Sequence, residues 1–506
     1  MKNKKIGRSK YINLLMLVIT SFSFQVFYAQ FPYFNSAQSG SGFALLGESN
    51  AGLVTYSANG IKLVDNTNQY SGVSLESLNF STSKGFILEF EYAMDKGDKY
   101  DGKYGDGIAM VLYDGTVTKP RMGDKGGALG YAYTKKSTTS SIKGFEKGFI
   151  GLGLDLYGNY KNIMANTDEI RNGIMSNNEG DFIVLRGPHS LVDYEGYPTL
   201  FAVGTVNNTN FYLDRVTGAP VKKQKGLEGQ RFSLRGNKMD AKVGDPEYRK
   251  AIVSLIPGID EISSNSESGF FISIDMINGV YRSSVIKNYF IPKSGDIKYT
   301  EQMSTSSSSV KTLKIETPNS LKMAFTGSTG GAAIQAHIRN IALSLPFSPI
   351  ANDMVLRDVI RSRQSVIKPL YSAFGYNTNV YSIINPPNKS MMYLDKESFR
   401  FRVLGTDNKF VDSKDPYSYK VDGVGEFRYN IGSGEVVFIP VTTSTAKTVT
   451  FYYDIKNLKP VSGNDISTEE YRSRVASVTL YLTDSSTVFS DPIIIVNKGV
   501  KNTKKL

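Results

Sequence analysis

The stretch "FIGLGLDLYGNY", residues 149–160, decides how this chain is read. Its first half is an apolar run interrupted only by glycine, which suits a strand buried on both faces. Its second half places Asp155, Tyr157 and Asn159 at alternating positions around Gly158. Residues two apart leave the same face of a strand, so an acid, a phenol and an amide would emerge together where the strand runs out. Two readings compete: a polar strand end meeting solvent, or oxygen donors converging on a hard cation.

The same punctuation recurs outward from this stretch. "GFILEFEYAM", "GIAMVLYDG", "DFIVLRG", "AIVSLIPG", "GFFISIDMING" and "LKMAFTGSTGG" are short, rich in aromatic and aliphatic residues, and bounded by Gly, Asp, Asn or Pro. With 31 Tyr, 28 Phe and 47 Gly and scarce helical periodicity, the chain reads as all-β. "TEQMSTSSSSVK" (300–311) reads as a polar loop, and the Pro-containing "LPFSPIAND" (345–353) as a boundary between domains. Beyond it "SFRFRVLG", "GEFRYNIGSGEVVFIPV", "KTVTFYYDIK" and "VASVTLYLTD" alternate as a smaller antiparallel sandwich would.

Of the formal charge of +12, five positives fall in the first ten residues, ahead of "INLLMLVI" and Ala29. A basic leader, a short apolar core and a small residue at its end read as a secretory signal peptide over 1–29. Polar interruptions at Asn13, Thr20, Ser21, Ser23 and Gln25 argue against a membrane span. The remaining positives are spread out apart from the terminal "KGVKNTKKL", so no basic stripe points to nucleic acid. An exported chain without cysteine must be held by core burial or bound ions.

In their order, four blocks resemble a legume-type (L-type) lectin domain of the bacterial surface kind. They are "ALLGESNAGLVTYSANGIKLVDNTNQYSGVSL" (44–75), "GDGIAMVLYDG" (105–115) with "GGALGY" (126–131), "LGLDLYGN" (152–159), and "LKMAFTGSTGGAAIQAHIRNIALS" (321–344). The resemblance implies a concanavalin-like jelly-roll sandwich over 30–346, with a shallow sugar site beside a calcium ion. It makes Asp106, after a cis peptide, the acceptor for two sugar hydroxyls. Gly127 would offer a backbone N–H, and Gly331 and Ala332 in the "GGAA" loop would close the site with further backbone donors. Asp155, the Tyr157 carbonyl and Asn159 would ligate calcium, Asn159 also donating to the sugar. The family's transition-metal ligand two residues before the Asp is here Gly153, and no histidine falls nearby, so a second metal is not expected. Asp168 or Glu169 would have to complete the calcium shell.

Other residues read more plainly. Tyr131 and Tyr133 suit the sheet better than a sugar-stacking platform, and His337 suits a structural role. Glu89 and Glu91 share one strand face and read as solvated charges; no carboxylate pair of the glycosidase kind stands beside an aromatic cluster. Residues 347–506 resemble the Ig-like repeat domains of bacterial surface proteins, which serve as spacers. The sequence therefore points to a secreted or surface-displayed, non-enzymatic glycan-binding protein, calcium-assisted, on an Ig-like stalk. The alternatives are an adhesin module of the same fold that contacts protein instead of sugar and, more remotely, a glycoside hydrolase or lyase.

Overall fold

The computed structural model describes residues 31–494, less short internal segments of which the longest are 378–387 and 485–492. The expected leader at 1–29 and the basic tail lie outside the described residues. Among the described residues no helix is long and apolar enough to cross a membrane.

The chain folds as sheets throughout, and two large antiparallel ones dominate. In the first, Tyr281–Pro292, Glu267–Asn278, Arg249–Asp260, Phe86–Asp95, Gln335–Ser344, Gly60–Val64 and Thr55–Ser57 lie side by side, with Tyr33–Asn35 also on Gln335–Ser344. In the second, the order is Pro220–Lys222, Asn210–Leu213, Thr199–Gly204, Phe182–Arg186, Gly148–Asp155, Gly107–Asp114, Ser320–Ser328, Tyr70–Leu75 and Phe43–Leu45. Some connections run as hairpins within a sheet, as from Arg249–Asp260 through Tyr281–Pro292, while others cross between the two, as from Phe86–Asp95 to Gly107–Asp114 and from Ser320–Ser328 to Gln335–Ser344, in keeping with the all-β jelly-roll reading.

Period-two alternation explains the packing. Along Phe86–Asp95 the side chains of Phe86, Leu88, Phe90, Tyr92 and Met94 turn inward and are buried. Phe90 from the first sheet meets Phe325 from the second edge-on at 5.1 Å, so one apolar layer serves both. Gly148–Asp155 is buried at every residue between Gly107–Asp114 and Phe182–Arg186. Its glycines make room for rings: a Cβ on Gly151 would run into Tyr131, and one on Gly153 into Tyr160. Tyr131 and Tyr133 accordingly belong to the core, their hydroxyls bonded to Gly187 O and to Asn172 at 2.8 and 2.9 Å.

A second cluster of buried apolar residues runs from Ala351 to Leu482. It lies between a sheet containing Leu394–Leu404, Thr448–Asn457, Ala476–Thr483 and Met354–Ile360, and another containing Gly425–Asn430 and Glu435–Pro440. Met354–Ile360, directly after the 345–353 boundary, pairs in parallel with Ala476–Thr483.

Two sequence readings are corrected here. The ends of 300–311 are not loop: Ser294–Gln302 and Ser308–Glu316 form a hairpin, for which serine and threonine suffice because only alternate residues, such as Leu313 and Ile315, must be apolar. Nor are Glu89 and Glu91 solvated. Glu91 is 7 % exposed and accepts from Tyr248 at 2.8 Å and Arg339 at 2.9 Å. Glu89 pairs with Lys250 at 3.0 Å and Arg474 at 3.3 Å, and both cations also reach Asp353. Glu89 is covered by Arg474 and Asp353 of the carboxy-terminal part, and Glu91 by Tyr248 and by Arg339, which is held on the carbonyls of Met239 and Ala241; alternation within one strand cannot reveal either cover. A cleft of about 870 Å³ lies against this quartet. Its central charges are spent on one another, and it is remote in sequence and register from the loops described next.

Candidate functional site

Strand register gathers the predicted residues at one end of the second sheet. Gly107 is opposite both Asp155 and Ser328, so the chain entering at Asp106, leaving after Asp155 and leaving after Ser328 does so side by side. The Gly105–Asp106 peptide is cis. Asp106 is buried, its N–H bonded to Ser328 O at 3.1 Å and its carbonyl accepting from the N–H groups of Leu156 and Tyr157 at 2.9 and 3.2 Å. This fastens the 105–106 backbone between the other two segments.

The side chains then converge. Asn159 Nδ2 donates to Asp106 Oδ1 at 3.3 Å, while Asn159 Oδ1 is buried without a hydrogen-bond partner. Gly127, in a short 3-10 turn at Gly126–Ala128, lies against the Asn159 amide so closely that a Cβ there would meet Nδ2 at 2.5 Å. The Gly126 N–H donates to Ser328 Oγ at 2.7 Å, tying that turn to the same strand end. From the opposite side, a Cβ on Gly330 would stand 3.4 Å from Asp106 Oδ2. Asp106, Gly127 and Asn159 are thus neighbours, with the 330–333 loop beside them. Within that loop Gly331 is exposed and Ala332 is buried. Gly331 approaches the ring of Tyr100, which is 55 % exposed. Sequence reading missed Tyr100 because "DKYDGKYGD" carries no periodic signal that would place it at this rim.

The other alternating residues diverge. Tyr157 packs its Cβ beside Gly105, with Lys103 Nζ 5.3 Å above its ring. Asp155 is fully buried, and its two carboxylate oxygens accept from the N–H groups of Gly158 at 2.8 Å and Tyr160 at 2.9 Å. Burial raises its pKa, against the pull of Lys161 and these N–H donors. Lys161 is itself fully buried and donates to the carbonyls of Gly158 and, at 2.9 Å, Glu179. Burial pulls its ammonium down to about 8 despite the nearby Asp155, leaving it charged at neutral pH.

The described residues do not by themselves make up a calcium shell. Calcium takes about six to eight oxygens, several of them carboxylate. The loop offers one carboxylate, already accepting two N–H bonds, and a cation stands beside it. The side chains of Asp168 and Glu169 lie outside the described residues, among which no group of three or more His, Cys, Asp or Glu could hold a metal ion. The volume beside Gly153 is filled by the Tyr160 ring and Leu129, which suits no transition metal. His337 is buried within the sheet, 3.4 Å from Gln335 Nε2, and burial lowers its pKa to about 4.

No protein-family profile and no curated protein sequence matches the chain. Among solved structures it is similar to the exoplasmic/lumenal domain of VIP36 in its Ca2+/Man3GlcNAc-bound form. The identity is 10 %, with 61 % of this chain and 85 % of that one covered and a TM-score of 0.31. It is also similar to the metal-free form of lectin I-B4 from Griffonia simplicifolia, at 11 % identity over 62 % and 98 %, with a TM-score of 0.29. The second of these is a lectin by name, and at these scores the architecture rests on the strand pairings above.

Proposed function

We propose that this protein binds carbohydrate through Asp106, Gly127 and Asn159, as a non-enzymatic lectin-like module carried on an Ig-like stalk and exported by its leader. The observation that carries the reading is the junction of Asp106 and Asn159 against Gly127, with Asn159 Oδ1 buried there without a hydrogen-bond partner. A carboxylate oxygen and an amide held 3.3 Å apart match adjacent hydroxyls, which need an acceptor and a donor at such spacing. Tyr100 supplies an exposed aromatic face at the rim, suited to the apolar face of a sugar ring. A hydrolytic mechanism needs two carboxylates flanking the scissile bond, and the second acid of this site, Asp155, is turned into the fold.

The test is an array of mannose-, galactose- and glucose-terminated oligosaccharides probed with the wild-type protein and Asp106→Ala. Binding by the wild type and its loss in the variant is the expected result. Equal binding by both refutes the site. No sugar bound by either protein, with a protein partner captured instead, would favour the adhesin alternative.

A further inference from the structure

The loop after Asp155 carries its own cations, and we propose that the Lys161 ammonium and the Arg186 guanidinium hold residues 155–161 in place as fixed positive groups, so that the site forms without calcium. An ammonium is not withdrawn wholly from water unless charged and polar partners receive it. Lys161 meets the carbonyls of Gly158 and Glu179, with the Asp155 carboxylate as its opposite charge. Arg186, also fully buried, donates to Tyr160 O from Nε at 3.0 Å and Nη2 at 2.6 Å, and from Nη1 to Tyr197 O at 2.8 Å. Its guanidinium also sits 4.9 Å from the centre of the Tyr160 ring. Between them the two cations take up carbonyls on both sides of Asn159, the residue that must be aimed at Asp106. A loop left to a metal would present these oxygens to the ion. Here they face nitrogen, and a dication placed among them would be repelled by the ammonium.

The proposal deepens the carbohydrate reading, since it concerns the same loop, but its test needs no sugar. The full chain is titrated calorimetrically with calcium chloride alone and melted in calcium and in EGTA. The wild type should give no saturable heat and identical melts. Lys161→Met, which keeps the length and loses the charge, should melt several degrees lower and should melt higher in calcium than in EGTA, because Asp155 is then released to a metal. Saturable calcium binding by the wild type, or a calcium-dependent wild-type melt, overturns the proposal. So does a Lys161→Met variant that melts like the wild type, or one that is weakened without gaining a calcium response. Should that variant fail to fold, the wild-type titration decides alone. A calcium-indifferent wild type that binds no glycan would sink the proposed function and leave this inference standing.

Discussion

Gly127→Ala offers the sharpest test of the site geometry. Gly127 has no left-handed backbone conformation, so alanine adds no torsional strain and acts through its methyl alone. That methyl would lie 2.5 Å from Asn159 Nδ2 and closer still to Cγ and Oδ1, about 1 Å short of ordinary carbon contact. The amide is the movable party, and swinging it away breaks its bond to Asp106. Overpacking of this kind costs about 1–3 kcal/mol, which at roughly 2–4 °C per kcal/mol for a large domain lowers the melting temperature by about 2–12 °C. Binding should fall much further. Hydrogen bonds involving a charged partner contribute about 1.5–3 kcal/mol each, so misplacing two costs about 3–6 kcal/mol, a hundredfold or more in affinity. Gly126→Ala is the control. Its φ of +61° makes alanine strained, yet its Cβ would meet nothing nearer than Asp106 Oδ2 at 4.0 Å. It should lose about 1–2 kcal/mol of stability and keep its affinity. Thermal melts and array titrations of both variants are compared. If Gly127→Ala binds as tightly as the wild type, or if both variants lose binding equally, the convergence of Gly127 on Asn159 is not a recognition device.

Asp353→Ala should cost about 3–5 kcal/mol in urea unfolding, because Lys250 and Arg474 would be left with Glu89 alone. Burial works to raise the Asp353 pKa, but Arg474 and Lys250 outweigh it and hold it well below the carboxylate range. The unfolded chain therefore takes the proton first, and stability present above about pH 4 drains away as the pH falls towards the folded value. Urea melts should show this fall in the wild type and less of it in Asp353→Ala. His337, held neutral down to about 4 by burial, should cost stability between pH ~6.5 and that value, since only the unfolded chain accepts its proton there; His337→Gln should flatten that interval. Residues 30–346 produced without the rest should unfold cooperatively as one large β domain in a thermal melt, and a fragment with no cooperative transition would refute two independently folding units.

The sequence by itself determined the all-β class and the strands with strong apolar patterning. "FIGLGLD" and "FILEFEYAM" were legible because burial of one or both faces imprints period and composition on the residues themselves. Alternation at 155, 157 and 159 was legible for the same reason, but what those side chains do was not. Asp155 turned inward onto the N–H groups of its own loop, Tyr157 packed under Lys103, and only Asn159 reached Asp106, 53 residues away. Glu89 and Glu91 looked like surface charges until Arg474 of the second sandwich met the one and Tyr248 and Arg339 met the other. Lys161 is the clearest case: a lysine after "YGNY" in a polar stretch carries no sign of burial. Its ammonium is enclosed because Glu179 and Phe182, on a later turn and strand, close over it. Local periodicity is written into neighbouring residues, whereas the partner of a charge is settled only when distant strands fall into register.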